Sequence, residues 1–154
     1  MTPSRAKNAI RSALHELIDR QPSAAQKAQV WAHFNNSCVY CAAALVLADR
    51  RGHIDHLVSQ ADGGGNHVSN RVLACGACNG DEKREEHWQF FLKRKCQDPK
   101  TYADRLKRIE DWRAKHQIQP SPIPREMVDA YVLKVCAEFD AACKAIRDAS
   151  RSVA

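Results

Sequence analysis

Apolar positions recur at helical spacing towards both ends of the chain and lose that rhythm in between. Ile10, Leu14, Leu17 and Ile18 follow Thr2-Pro3, a threonine N-cap with a first-turn proline, and Gln21-Pro22 ends the pattern. Ser23 and Gln26 then form a capping box, and Val30, Trp31 and Phe34 supply a second apolar edge until Asn35-Asn36-Ser37 breaks it. Beyond Gly80, Trp88, Phe91 and Leu92 predict another helix. Asp98-Pro99 caps the next, which carries Tyr102, Leu106, Ile109 and Trp112. The proline-rich stretch 119–124 reads as a stiff spacer before a last helix, where Val128, Val132, Val135, Phe139, Ala142 and Ile146 form a packing stripe.

Residues 38–80 differ in character. They hold four of the seven cysteines and three of the seven histidines, and their apolar runs at 43–48 and 71–74 are too short for helices. The chain therefore divides on sequence into an N-terminal helical segment (1–36), a chemistry-bearing core (37–96) and a C-terminal helical extension (97–154), together expected to make one compact unit. No internal repeat or low-complexity tract interrupts it.

Composition narrows the setting. With 154 residues, 44% of them hydrophobic, one domain can bury a core. Lys and Arg number 24 against 18 acids, a net charge of +6 that suits a polyanionic partner without choosing DNA or RNA. No run reaches the roughly 18 apolar residues a membrane span needs, and the N-terminus lacks the apolar core of a secretory signal, so a cytoplasmic, reducing location is expected, with no membrane partner. In that compartment an odd number of cysteines points to metal ligands rather than disulfides.

Cys38-Val-Tyr-Cys41 and Cys75-Gly-Ala-Cys78 lie 33 residues apart. Each pair can form a knuckle presenting two thiolates, and two knuckles complete the tetrahedral sulfur shell of a closed structural zinc site. A single pair could instead be a redox motif, and any one cysteine could be buried filler. Cys96, Cys136 and Cys143 lack partner spacing; the last two share a helix face, which packing explains.

Between the knuckles runs His53-Ile-Asp55-His56, then Gly63-Gly-Gly, then Asn70-Arg71-Val-Leu-Ala-Cys75, with Asn79 and Lys83 after Cys78. Over residues 38–84, about a third of the chain, this order resembles the zinc-containing HNH nuclease family. Its members run Asp-His, a glycine-containing loop, Asn before an apolar strand, and Cys-x-x-Cys-Asn with a following Lys. The resemblance implies a ββα-metal core, two antiparallel strands and a helix pinned by a four-cysteine zinc site, within an α+β and mostly helical chain.

It also implies roles. Asp55 and Asn79 would hold a divalent cation, and oxygen ligands with positions left to water suit magnesium or manganese. Asparagine at position 79, where other members carry histidine, tilts the preference towards magnesium. His56 would be the general base, its imidazole pKa lying near working pH. Asn70 would orient the loop carrying His56, although a turn residue before a strand is an equally simple reading. Lys83, Arg84 and Arg71 are the candidate phosphate contacts. His87 follows Asn79 and Lys83 at steps of four, so one continuous helix face could bring it to the site.

A tension accompanies these roles. In a regular strand His53 and Asp55 share a face and His56 points away, so either the strand is distorted or His53 has a larger part. The sequence thus leads to metal-dependent hydrolysis of DNA phosphodiesters. The competing class is a zinc-stabilised nucleic-acid-binding or interaction module without catalysis. DNA sequence preference and oligomeric state are not legible.

Overall fold

The computed structural model describes residues 2–60, 62–84, 86–117 and 121–152. Contacts divide the chain into two units, Met1–Arg20 with Pro120–Ala154, and Gln21–Gln119. Sequence reading drew its boundaries after residues 36 and 96. The observed division instead keeps the helices on either side of the cysteine segment in one unit with it.

The larger unit is built around a hairpin. β1 (Gly52–His56) pairs antiparallel with β2 (Arg71–Cys75), from Gly52 opposite Cys75 to His56 opposite Arg71. Two short strands alone are marginal, and three helices cover them: α2 (Ala24–His33), α3 (Trp88–Lys95) and α4 (Pro99–Lys115). α2 starts at the Ser23–Gln26 capping box, with reciprocal hydrogen bonds of 3.2 and 2.9 Å. α4 starts at Asp98, whose carboxylate accepts from the Thr101 amide at 2.8 Å.

Val30 and Phe34 of α2, Tyr40 of the first knuckle, Val72 and Leu73 of β2, Phe91 of α3 and Trp112 of α4 are all buried and form one core. Tyr40 meets Phe91 edge-on, with ring centroids 4.8 Å apart. Trp112 donates its indole N–H to the Val68 carbonyl at 2.9 Å, tying α4 to the turn that precedes β2. The four helices expected between residues 1 and 115 are present, with α1 as Pro3–Glu16.

The smaller unit pairs α1 with α5 (Arg125–Ser152) in antiparallel fashion, joined by Lys7–Asp140 and His15–Asp129 contacts of 2.8 and 3.1 Å. Val128 and Val132 are buried and Phe139 is half-buried, but Val135 is 37% and Ile146 67% exposed, so the expected stripe on α5 is covered only in part and only as far as its middle. At about 1.5 Å per residue α1 spans half the length of α5, which limits what it can cover. Part of the spacer, residues 119 and 120, lies outside the described residues. Among the described residues no helix is long and apolar enough to cross a membrane.

Replacing Trp112 with Ala removes the largest fully buried side chain and its hydrogen bond. Chemical denaturation should show a loss of roughly 3–5 kcal/mol, and a loss near zero would contradict this packing.

Candidate active site

The sulfurs of Cys38, Cys41, Cys75 and Cys78 all lie within 4.8 Å of one another. A tetrahedron with Zn–S distances of about 2.3 Å has edges of about 3.8 Å, and Cys41 Sγ lies 3.7 Å from Cys75 Sγ. The first knuckle is closed by Cys38 N–H to Ala43 O at 2.9 Å and Ala42 N–H to Cys38 O at 2.8 Å, with Ala42 in the left-handed region at φ 62°. Val39 N–H donates to Leu73 O at 2.9 Å and fastens the knuckle to β2. Burial pushes the Cys38 thiol up to about 11 and raises Cys78 further. Four thiolates together in this place therefore call for a cation, and the all-sulfur donor set fits zinc. The cluster has the ligands and spacing to hold a structural metal ion such as zinc.

β1 is regular, and its alternation settles the tension between Asp55 and His56. A Cβ on Gly52 would meet the Trp31 ring at 2.3 Å, so the even positions, Gly52, Ile54 and His56, face α2. The odd positions face the other way. A Cβ on Gly76 would lie 3.4 Å from His53 Nε2, and Asp55 Oδ2 receives Lys83 Nζ at 2.6 Å. Asp55 and His56 thus lie on opposite faces at the end of the strand. His53 is exposed beside the second knuckle, apart from the Asp55–Lys83 pair.

His56 is half-buried between two partners. Arg71 Nη1 lies 3.0 Å from its Nδ1 and Asn66 Oδ1 lies 3.2 Å from its Nε2. A guanidinium only donates, so Nδ1 holds the lone pair and Nε2 carries the proton towards Asn66. Burial, and then the Arg71 charge, hold the His56 pKa below its ordinary value. Arg71 also donates to Gln21 Oε1 at 2.9 Å and to Asn66 Oδ1 at 2.6 Å. Along this face, between α2 and β1, runs a groove of about 750 Å³. Lys27, Trp31, Asn36, Ile54 and Arg71 help to line it, and no acidic side chain does among the described residues.

Asn70 fastens the loop after His56 from both sides. Its Oδ1 accepts the Val58 amide at 2.9 Å, and its Nδ2 donates to the Val58 and Gly65 carbonyls, each at 2.9 Å. Gly64 fits under the same strap: a Cβ there would sit 2.0 Å from the Val58 carbonyl oxygen.

The segment after the second knuckle departs from expectation. No continuous helix runs from Asn79 to His87; a π-helical turn covers Ala77–Glu82, Lys83 N–H bonds Cys78 O at 3.2 Å, and Arg84 turns the chain at φ 43°. The Asn79–Lys83–His87 face is thereby interrupted. His87 is instead the exposed N-cap of α3, its Nδ1 accepting the Gln89 amide at 3.4 Å. Asn79 is half-buried within the π-helical turn. Of the three candidate phosphate contacts, only Arg84 is exposed: Lys83 is 5% and Arg71 6% exposed, because each is drawn inwards by a polar partner.

Sequence reasoning missed Asn66, Gln21 and Tyr40, none of which carries a motif signal. Tyr40 lies under the Asp55 side: its ring is 5.8 Å from Lys83 Nζ, and its buried hydroxyl interacts with the Asp55 carboxylate. Burial, and then the Asp55 charge, push its pKa well above 10. The oxygen donors gathered here, the Asp55 carboxylate, the His56 carbonyl and a tyrosine hydroxyl, suit a hard cation.

Residues 38–85 match the HNH endonuclease family. The matched segment runs from the first cysteine knuckle to just past Lys83, and it ties this part of the chain to nuclease or nucleic-acid chemistry. Its two-stranded sheet and cysteine cluster agree with the ββα-metal fold of HNH domains. Comparison with curated proteins finds no match for the chain.

Two outcomes follow for the HNH segment. The purified protein should carry stoichiometric zinc that strong chelators remove with loss of the folded state, whereas Cys78→Ser should fail to retain it; full stability without metal would refute a structural cluster. Asn70→Ala should lower stability by roughly 2–4 kcal/mol in denaturant titration, the scale of three lost hydrogen bonds with two carbonyls and an amide left unpaired.

Proposed function

We propose that the chain is an endonuclease that hydrolyses DNA phosphodiester bonds with one hard divalent cation, magnesium or manganese, held at Asp55 and Asn79. His56 is its general base. The observation that carries this reading is that consecutive residues, a buried carboxylate and a half-buried imidazole of lowered pKa, occupy the two faces at the end of β1 inside the segment that matches the HNH family. When bound, the cation supplies Lewis acidity towards the phosphate charge.

The residues divide the remaining work between two faces. A phosphodiester laid across the end of β1 meets Asp55 from one side and His56 from the other. The imidazole is neutral at neutral pH, with its free pair on Nδ1, so it can accept a proton once Arg71 lets go of that nitrogen. An anionic phosphate competes for the guanidinium, and a bidentate Arg71–phosphate pair would release the base while balancing charge. Asn70 holds the loop behind His56 and acts as a positioning residue. The acid-free groove supports a polyanionic substrate on the Arg71 side, with Lys27 available to its backbone. Arg84 serves the opposite face. A reducing, cytoplasmic setting fits the seven free cysteines.

A second reading, a zinc-stabilised nucleic-acid-binding module without catalysis, is favoured by one fact: Asp55 and His56 are already engaged by Lys83 and Arg71. Plasmid digestion separates the two. Cutting that needs magnesium or manganese, stops with EDTA and disappears in His56→Ala is the expected result; a His56→Ala protein that cuts as well as wild type removes His56 from the base role.

The pH profile adds a second check. A base must be deprotonated, so activity is present above the His56 pKa and lost as pH falls through it. In the wild type that limb should lie below about 6.5. Arg71→Met removes one of the causes of the depression, so the limb should move to higher pH as turnover falls; an unmoved limb would detach Arg71 from the base.

A further inference from the structure

The geometry points to a cation seat that is already formed and is filled by the protein's own ammonium: a divalent ion binds at Asp55 by displacing Lys83. The inference rests on the metal assignment proposed above and adds two things to it. One is a further oxygen ligand, the His56 main-chain carbonyl; the other is an internal competitor.

Lys83 Nζ lies 2.6 Å from Asp55 Oδ2 and 2.5 Å from the His56 carbonyl oxygen, so two hard oxygens from consecutive residues already converge on one positive charge. Both side chains of the pair are almost wholly buried, at 6% and 10% exposure. A buried carboxylate cannot be left bare, and a buried ammonium cannot share the seat with a second cation. Occupation by a metal ion therefore has to expel Lys83.

The local chain gives Lys83 a way out. It ends the π-helical turn, and its neighbour Arg84 is exposed in a left-handed conformation. An outward swing places the Lys83 ammonium beside Arg84, where it becomes a phosphate contact. The exchange also changes charge. Asp55 with Lys83 is neutral, whereas Asp55 with a divalent ion carries one surplus positive charge, which a phosphodiester anion cancels. Metal binding is thus expected to be weak in the free protein and strengthened by a phosphodiester.

The test uses the full chain with its zinc in place and Mn²⁺ as the probe. Acylation of lysine amines, read peptide by peptide in a mass spectrometer, should find Lys83 protected without Mn²⁺ and about tenfold more reactive at saturation, a typical coupling scale, while Lys27 does not change. Mn²⁺ titration followed by electron paramagnetic resonance should show about tenfold or tighter binding to Lys83→Met than to wild type, within the same range. Protection of Lys83 that persists while Mn²⁺ binds in an Asp55-dependent manner overturns the exchange, and it does so in the native protein even where Lys83→Met fails to fold. Undiminished Mn²⁺ binding by Asp55→Asn overturns instead the metal assignment on which the exchange rests.

Discussion

Side chains along a strand must alternate, and the five paired residues of β1 turn that rule into the architecture of the site. Because the pairing with β2 is unbroken from Gly52 to His56, two neighbouring polar residues are sent to opposite sides of a thin hairpin. Each arrives in a place where an unpaired charge or a competing proton would be costly, and each is met by a cation carried on a different part of the chain. Asp55 takes Lys83 from the end of the π-helical turn; His56 takes Arg71 from the strand opposite. The hairpin is a partition with an imidazole on one side, a carboxylate on the other, and a positive charge beside each.

So small a partition needs outside support. The cysteine knuckles clamp its far end, with Val39 bonded to Leu73, while α2 and α4 pack their aromatic and aliphatic faces on it. The polar strap of Asn70, roofed by the close fit of Gly64, then fixes the loop that leaves the strand. Metal, core and strap act on different parts of the same twenty-odd residues, so the site residues sit on backbone that is held from several directions.

The four-cysteine cluster was legible because two cysteine pairs at this spacing, in a chain read as belonging to a reducing compartment, point to metal ligands rather than disulfides. The helices were legible because caps and apolar periodicity agreed. Asn70 was legible as a loop fastener, since an amide before a strand has both donor and acceptor to offer. The positions of Lys83 and Arg71 were not. Long cations are ordinarily solvated, and only the three-dimensional register reveals that a carboxylate and an imidazole wait for them inside. The interruption at Arg84 was equally hidden, for nothing in Asn79–Lys83–His87 marks where a helical rhythm stops. Asn66, Gln21 and Tyr40 matter through contacts with residues distant in sequence, and no local pattern could have singled them out. On α5 the apolar stripe was visible, but how little of it α1 reaches depends on the length of a helix more than a hundred residues away.

That last pairing has a consequence for how the protein is made. Gln21–Gln119 is contiguous, whereas α1 and α5 are separated in sequence by the whole of it. Every residue of the unit bearing the cysteine cluster and the hairpin is therefore synthesised after α1 and before α5. Until α5 is made the apolar edge of α1 lacks this partner, whereas the contacts within the middle unit come from residues already added. The two-helix unit can be completed only after the last residue of the middle unit is in the chain.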